Sequence, residues 1–121
     1  MNYDAVIVGS GPGGMSAART LAGSGLKTAV IERLSESGMR RYHSTCGEAV
    51  SVRMFGRIGW TPTSIVARTR AIAISMPGGI RIEMPAEGLV VDRPGMLEEL
   101  RALSDAEFIR GSVSSVSEDD G

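Results

Sequence analysis

Glycines at positions 9, 11 and 14 constrain this chain more than any other feature. They follow a short apolar run, Tyr3-Asp4-Ala5-Val6-Ile7-Val8, and precede small and apolar residues from Met15 to Ala22. The β-branched Val6, Ile7 and Val8 predict a strand buried on both faces, as in a parallel sheet. Ala17, Ala18, Leu21 and Ala22 recur at helical spacing, and Gly23 and Gly25 predict where that helix stops. A second apolar run, Thr28-Ala29-Val30-Ile31, ends at Glu32. Residues 3–32 therefore read as one β-α-β unit, whose crossover is expected to be right-handed.

A Gly-x-Gly-x-x-Gly pattern at a strand-to-helix junction has a physical purpose. Gly9 permits the tight turn out of the strand, Gly11 lets a diphosphate approach the backbone, and Gly14 lets the helix lie close to the sheet. The amides at the helix start carry about half a positive charge, which favours a phosphate. A carboxylate at the end of the second strand, Glu32, suits a ribose diol and repels a 2′-phosphate, which disfavours NADP. The motif alone leaves FAD and NAD both open. The bland alternative, a glycine turn in some other parallel α/β protein, requires turn, small-residue helix and carboxylate to coincide by chance.

The remaining composition narrows the class. A length of 121 residues suits one small domain or a piece of a larger one. Hydrophobic residues at 42% and charged residues at 22% are globular values. Thirteen basic residues nearly cancel 14 acidic ones, so no bulk attraction for nucleic acid or an anionic membrane is expected. One cysteine excludes an internal disulfide, and no second His or Cys supports a metal site. No apolar run approaches the roughly 18–20 residues of a spanning helix. A cytoplasmic setting is the expectation.

Further along, residues 33–45 are polar and aperiodic and read as a loop. Glu48 to Gly56 reads as a helix. Residues 66–76 and 80–84 alternate with period two around Pro77-Gly78-Gly79, predicting a β-hairpin with one solvated face. Trp60 is expected to pack against it. Leu89-Val90-Val91 predicts a short strand. Asp92 is placed to cap a helix from Pro94 to about Leu103, with Met96, Leu97, Leu100 and Leu103 on its buried face. Residues 107–110 and 112–117 predict two more strands, and Glu118 to Gly121 a turn. The missing return strand suggests an N-terminal fragment of a longer protein, or a natural short relative, whose uncovered edge would recruit another chain.

A second constellation is Ser44-Thr45-Cys46-Gly47-Glu48, after Arg40, Arg41, Tyr42 and His43. Taken alone, Cys46 reads as a small buried thiol, His43 as a loop residue, and Arg40 and Arg41 as solvated charges. A Cys46–His43 nucleophilic pair lacks an orienting carboxylate. No convincing general acid or base is evident, so the catalytic residues stay unassigned.

Gly9-Ser10-Gly11-Pro12-Gly13-Gly14, Glu32, Cys46-Gly47-Glu48 and Val91-Asp92-Arg93 occur in that order, and together they resemble the start of the FAD-dependent geranylgeranyl reductase family. That family shares the fold of the aromatic-ring hydroxylases. Thr45 stands where the family usually has arginine. The resemblance implies a three-layer, Rossmann-like α/β domain with a parallel sheet and an added hairpin. Its expected parts are β-α-β 3–32, Cys-Gly-Glu loop and helix 33–60, hairpin 66–84, and strand–helix–strand 89–117. It implies FAD as cofactor, held by Gly9, Gly11, Pro12, Gly13, Gly14, Glu32, Arg33, Thr45, Cys46, Gly47 and Arg93. It further implies reduction of carbon–carbon double bonds in an isoprenoid or related apolar substrate, which would bring a lipid-using enzyme to the membrane periphery. The rivals are a flavin monooxygenase or halogenase, an NAD-binding module, and a non-catalytic nucleotide-binding chain.

Overall fold

The computed structural model describes residues 2–42 and 45–118. In chain order its elements are β1 (Ala5–Val8), α1 (Pro12–Leu21), β2 (Thr28–Glu32), α2 (Glu36–Tyr42), β3 (Ala49–Ser51), α3 (Val52–Ile58), β4 (Ile65–Ser75), β5 (Arg81–Val91), α4 (Arg93–Ala102) and β6 (Glu107–Arg110). The fold is α/β and Rossmann-like, and it divides into two units. One comprises residues 1–44 and 97–121, the other 45–96.

The first unit is built on a parallel sheet of order β1-β2-β6. Its central strand is the most deeply buried, with Ala29 and Val30 fully covered. Met15 and Ala18 of α1 and Leu100 of α4 complete the core of this unit. The spacing Met15–Ala18 puts both on one helical face. β1 departs from the expectation of burial on both faces: Val6 and Val8 are 51% and 63% exposed. Its alternate residues Ala5 and Ile7 are partly covered, so only one of its faces is packed.

Residues 33–45 are not simply a loop, because α2 forms within them. Ser35 Oγ accepts from Gly38 N at 3.1 Å, the geometry of a capping side chain. Glu36 opens the helix and pairs with Arg40 one turn later at 3.7 Å, and Arg40 also reaches Glu98 at 3.4 Å. Residues 112–118 form no strand among the described residues, which removes the extra uncovered edge expected there. Their Ser/Val alternation satisfies a period but pairs with no strand among the described residues. The turn expected at 118–121, like His43 and Ser44, falls largely or wholly outside the described residues.

The second unit carries an antiparallel sheet of order β3-β5-β4. The hairpin forms, and its turn closes with Met76 N donating to Ile80 O at 2.8 Å. Gly78 and Gly79 hold φ of 91° and 83°, which favours glycine at both. β5 is longer than expected. It runs through Pro85 and Gly88 into the Leu89–Val91 segment, because a bulge absorbs the irregularity opposite Thr69–Ala71. The helix expected from Glu48 begins at Val52, since Ala49–Ser51 pairs with β5 instead. Phe55, Leu89, Val91 and Met96 are buried here, and so is Pro62. Trp60 stands edge-on to Phe55, with ring centroids 6.1 Å apart. Leu103, expected on the buried face of α4, is 48% exposed because the helix ends before it.

Candidate functional site

The candidate residues fall into two sets, one in each unit. In the first unit, Gly9 turns the chain at the end of β1 with φ 94°, and its N donates to Ile31 O at 2.8 Å. Gly11 is the N-cap of α1 and Pro12 opens the helix, where a missing N–H costs nothing. Met15 N closes the first turn on Gly11 O at 2.9 Å. No side chain caps this helix start, and its first turn holds no acidic residue. An anion placed there meets backbone amides and the positive end of the helix dipole.

The three motif glycines have different reasons to be glycine. A Cβ on Gly14 would land on the Gly9 carbonyl oxygen and lie 3.2 Å from Ile7 Cγ2. Close approach of helix and strand requires its absence. A Cβ on Gly11 or Gly13 would meet nothing within 4 Å. The space in front of those two is open, as a diphosphate cradle needs.

Glu32 does more than the sequence suggested. Its Oε2 accepts from Ser10 N at 2.8 Å and from Ser10 Oγ at 2.9 Å, and its Oε1 accepts from Leu34 N at 2.8 Å. Partial burial pushes this carboxyl up, but the amides of Leu34 and Ser10, the Ser10 hydroxyl and the Arg33 amide outweigh it. The group sits below its ordinary value. The carboxylate therefore braces the glycine loop from the end of β2. A carboxylate offers roughly four acceptor positions, so a ribose hydroxyl would share Glu32 with Ser10.

Beside the loop lies a cavity of about 330 Å³. That volume is at the low end of small-molecule sites, of the order expected for one nucleoside rather than a whole dinucleotide. Gly9, Gly11, Glu32 and Arg33 line it, and so do Met39, Tyr42 and Val113, which sequence reasoning missed. Ser35-Glu36, with Arg40 four residues after Glu36 and Arg41 next to it, was the available sign of the helix that brings in Met39 and Tyr42. Nothing in the sequence marked Val113.

In the second unit, the Cys46–Glu48 turn is fastened to the start of α4. Arg93 Nη2 donates to Cys46 Sγ at 2.8 Å, and Arg93 N donates to Glu48 Oε2 at 3.5 Å. Glu48 O accepts from Val91 N at 3.1 Å. Glu48 itself holds φ 54°, a left-handed conformation uncommon outside glycine. The structure thus brings Cys46, Gly47 and Arg93 together, with Glu48 as the unanticipated link. Thr45 and Gly47 are exposed at the same turn, and a Cβ on Gly47 would meet nothing within 4 Å. Cys46 is exposed, against the expectation of a buried thiol. At the helix start, the Asp92 carboxylate stands where a Cβ on Gly95 would come within 2.8 Å of it.

Comparison with known proteins places this geometry in a family. The profile of the pyridine nucleotide-disulphide oxidoreductases matches residues 3–92. The chain belongs to that family. Within it, the sequence is 34% identical over 95 residues to digeranylgeranylglycerophospholipid reductase 1 of Methanopyrus kandleri, covering 77% of this chain and 24% of that protein. It is 32% identical over 127 residues to geranylgeranyl diphosphate reductase of Rhodobacter capsulatus, covering 100% of this chain and 31% of that protein. The chain thus spans about a quarter to a third of the length of these relatives. A solved geranylgeranyl bacteriochlorophyll reductase-like protein of Thermoplasma acidophilum superposes with a TM-score of 0.73 at 29% identity. The match covers 89% of this chain and 30% of that one. Solved monooxygenases and halogenases share the fold at 20% identity or below, a likeness that speaks to the fold alone. The resemblance to the geranylgeranyl reductases drawn from the glycine loop, Glu32 and Cys46-Gly47-Glu48 agrees with these findings.

Proposed function

We propose that this chain is the FAD-binding part of a flavin-dependent reductase that acts on carbon–carbon double bonds of an isoprenoid or related apolar lipid, in a cytoplasmic setting. The observation that carries the reading is the uncapped start of α1 behind Gly11 and Gly13, braced by Glu32 and next to a nucleoside-sized cavity. These features fit FAD. The open space at Gly11 and Gly13 suits the diphosphate, with Gly9, Pro12 and Gly14 shaping the loop around it. Glu32 offers its remaining acceptor capacity to the adenosine ribose, and Arg33 lines the same cavity. Met39 and Tyr42 give the base an apolar seat.

When bound, FAD supplies the two-electron chemistry of double-bond reduction. The chain's own residues bind and orient it. Thr45, Cys46 and Gly47 form an exposed turn and are our candidates for contact with the flavin, and Arg93 holds that turn through Cys46 Sγ while adding a fixed cation. The reductase names of the curated relatives favour this chemistry over the monooxygenase, halogenase and NAD-binding readings.

The test is equilibrium titration of the purified chain with FAD and, separately, with NAD, followed by flavin fluorescence and calorimetry. Saturable FAD binding with no comparable NAD binding supports the proposal. Saturable NAD binding with none for FAD overturns it.

A further inference from the structure

Ser10 lies inside the glycine loop, between Gly9 and Gly11, and both of its donors meet the same atom of Glu32. Its N stands 2.8 Å and its Oγ 2.9 Å from Glu32 Oε2. Two donors fill the two lone-pair positions of that oxygen. Glu32 Oε1 accepts from Leu34 N at 2.8 Å, and the Arg33 amide supports the same carboxylate. Of roughly four acceptor positions, at most one, on Oε1, is left for a ligand.

A ribose diol brings two hydroxyl donors on adjacent carbons. It engages a carboxylate most fully with one hydroxyl on each oxygen, and Oε2 has no position to give. One of the two Ser10 donors must leave before the second hydroxyl can bind. The amide is fixed. Its loop is held on one side by Gly9 N donating to Ile31 O at 2.8 Å, and on the other by Met15 N donating to Gly11 O at 2.9 Å. The Ser10 hydroxyl is the movable donor, because a turn about one side-chain torsion releases it without moving the backbone.

We infer that the Ser10 hydroxyl is a place-holder for the second ribose hydroxyl of the cofactor: it occupies Glu32 Oε2 in the free chain and turns away when the adenosine ribose arrives. Ser10 is thus a positioning residue that acts through Glu32. The inference rests on the FAD reading above and deepens it. It gives the hydroxyl opposite effects in the two states. In the free chain it satisfies a partly buried carboxylate, and toward the ligand it is a competitor. A bond made only in the free state lowers affinity by the free energy it contributes there. A serine that merely braced the loop would act alike in both states, and its loss would weaken binding.

The experiment is calorimetric titration of the parent and Ser10→Ala, each as the full 121-residue chain, beside melting curves without ligand. The two probes are FAD and the FAD analogue whose adenosine sugar is 2′-deoxyribose. Ser10→Ala should melt slightly below the parent yet bind FAD about two- to tenfold tighter, the range of one net hydrogen bond. The analogue keeps one ribose hydroxyl, which the open position on Oε1 takes, so it should bind both chains alike. Equal or weaker FAD binding by Ser10→Ala overturns the inference, and so does an equal gain with the analogue. The parent gives a second check that needs no variant to fold. Exchanging the Ser10 bond for a ribose bond leaves little net, so FAD and the analogue should differ by about twofold at most in the parent. A larger loss on removing the 2′-hydroxyl overturns the inference. All of these results leave the FAD reading in place. A parent chain that binds neither probe overturns that reading, and the inference with it.

Discussion

Replacing Gly14 by alanine tests whether the helix–strand approach behind the glycine loop is as tight as the structure shows. The added methyl would fall on the Gly9 carbonyl oxygen and within 3.2 Å of Ile7 Cγ2. The obstacle is backbone, so no rotamer change relieves it, and α1 must move off the loop. Overpacking of this kind costs about 1–3 kcal/mol. Alanine also restricts the unfolded chain relative to glycine, which offsets about 0.4–1 kcal/mol. The net loss is then on the order of 1–2 kcal/mol, which in a chain of this size lowers the melting temperature by about 4–10 °C. Gly13→Ala is the control, because its methyl meets nothing within 4 Å and its φ is not left-handed. It should melt at or slightly above the parent. Thermal unfolding of the three chains without ligand, followed by circular dichroism, decides the matter. If Gly14→Ala melts with the parent, the close approach is not there and the structural role given to Gly14 is wrong.

Other perturbations have equally definite outcomes. Hydrogen bonds from Ser10 and Leu34 hold the Glu32 carboxyl below the ordinary glutamate value, so its stabilising contribution is present above that ordinary value and is lost as pH falls through the lower folded value. Glu32→Gln should therefore flatten the acid side of the stability–pH curve, and an unchanged curve would contradict the brace to Ser10. Gly88→Ala would place a methyl 2.7 Å from Thr69 Oγ1 and 3.1 Å from Val50 O. It should destabilise by roughly 1–3 kcal/mol in chemical denaturation, with part of the loss recovered by adding Thr69→Ala, since only the side-chain obstacle is then removed. Leu89→Ala should cost about 2–5 kcal/mol in the same assay, because Leu89 is 2% exposed in the core of its unit. Exposed Cys46 should react with iodoacetamide in the native chain, and saturating FAD should slow that reaction if the Cys46–Gly47 turn borders the flavin.

The first unit was legible in the sequence where local chemistry and tertiary fate agreed. Val6-Ile7-Val8 and Thr28 to Ile31 are β-branched runs bounded by glycines or a carboxylate, and they became β1 and β2. Phe108-Ile109 behaved likewise in β6. α2 was hidden because its apolar residues, Met39 and Tyr42, are too few to show a period. Its signals were electrostatic instead: Ser35 at the cap, Glu36 in the first turn and Arg40 one turn on. β3 has three residues and exists only because β5 lies beside it, which no local pattern announces. Pro85 and Gly88 spoke for a break that the bulge accommodates. At the site, the glycine loop and Glu32 could be read from spacing. The bond from Ser10 to Glu32, the left-handed Glu48 and the cavity wall at Val113 depend on approaches between distant segments.

The central claim is that backbone amides behind Gly11 hold the diphosphate of FAD. Gly11→Val tests it most directly, because the added side chain points into open space with an extended, unstrained backbone and so leaves the fold intact. FAD affinity of parent and variant should be compared by titration, alongside their melting curves without ligand. The account predicts an unchanged melt and an affinity at least about tenfold weaker, a difference of roughly 1.4 kcal/mol. Equal affinity in a variant that melts like the parent would contradict it.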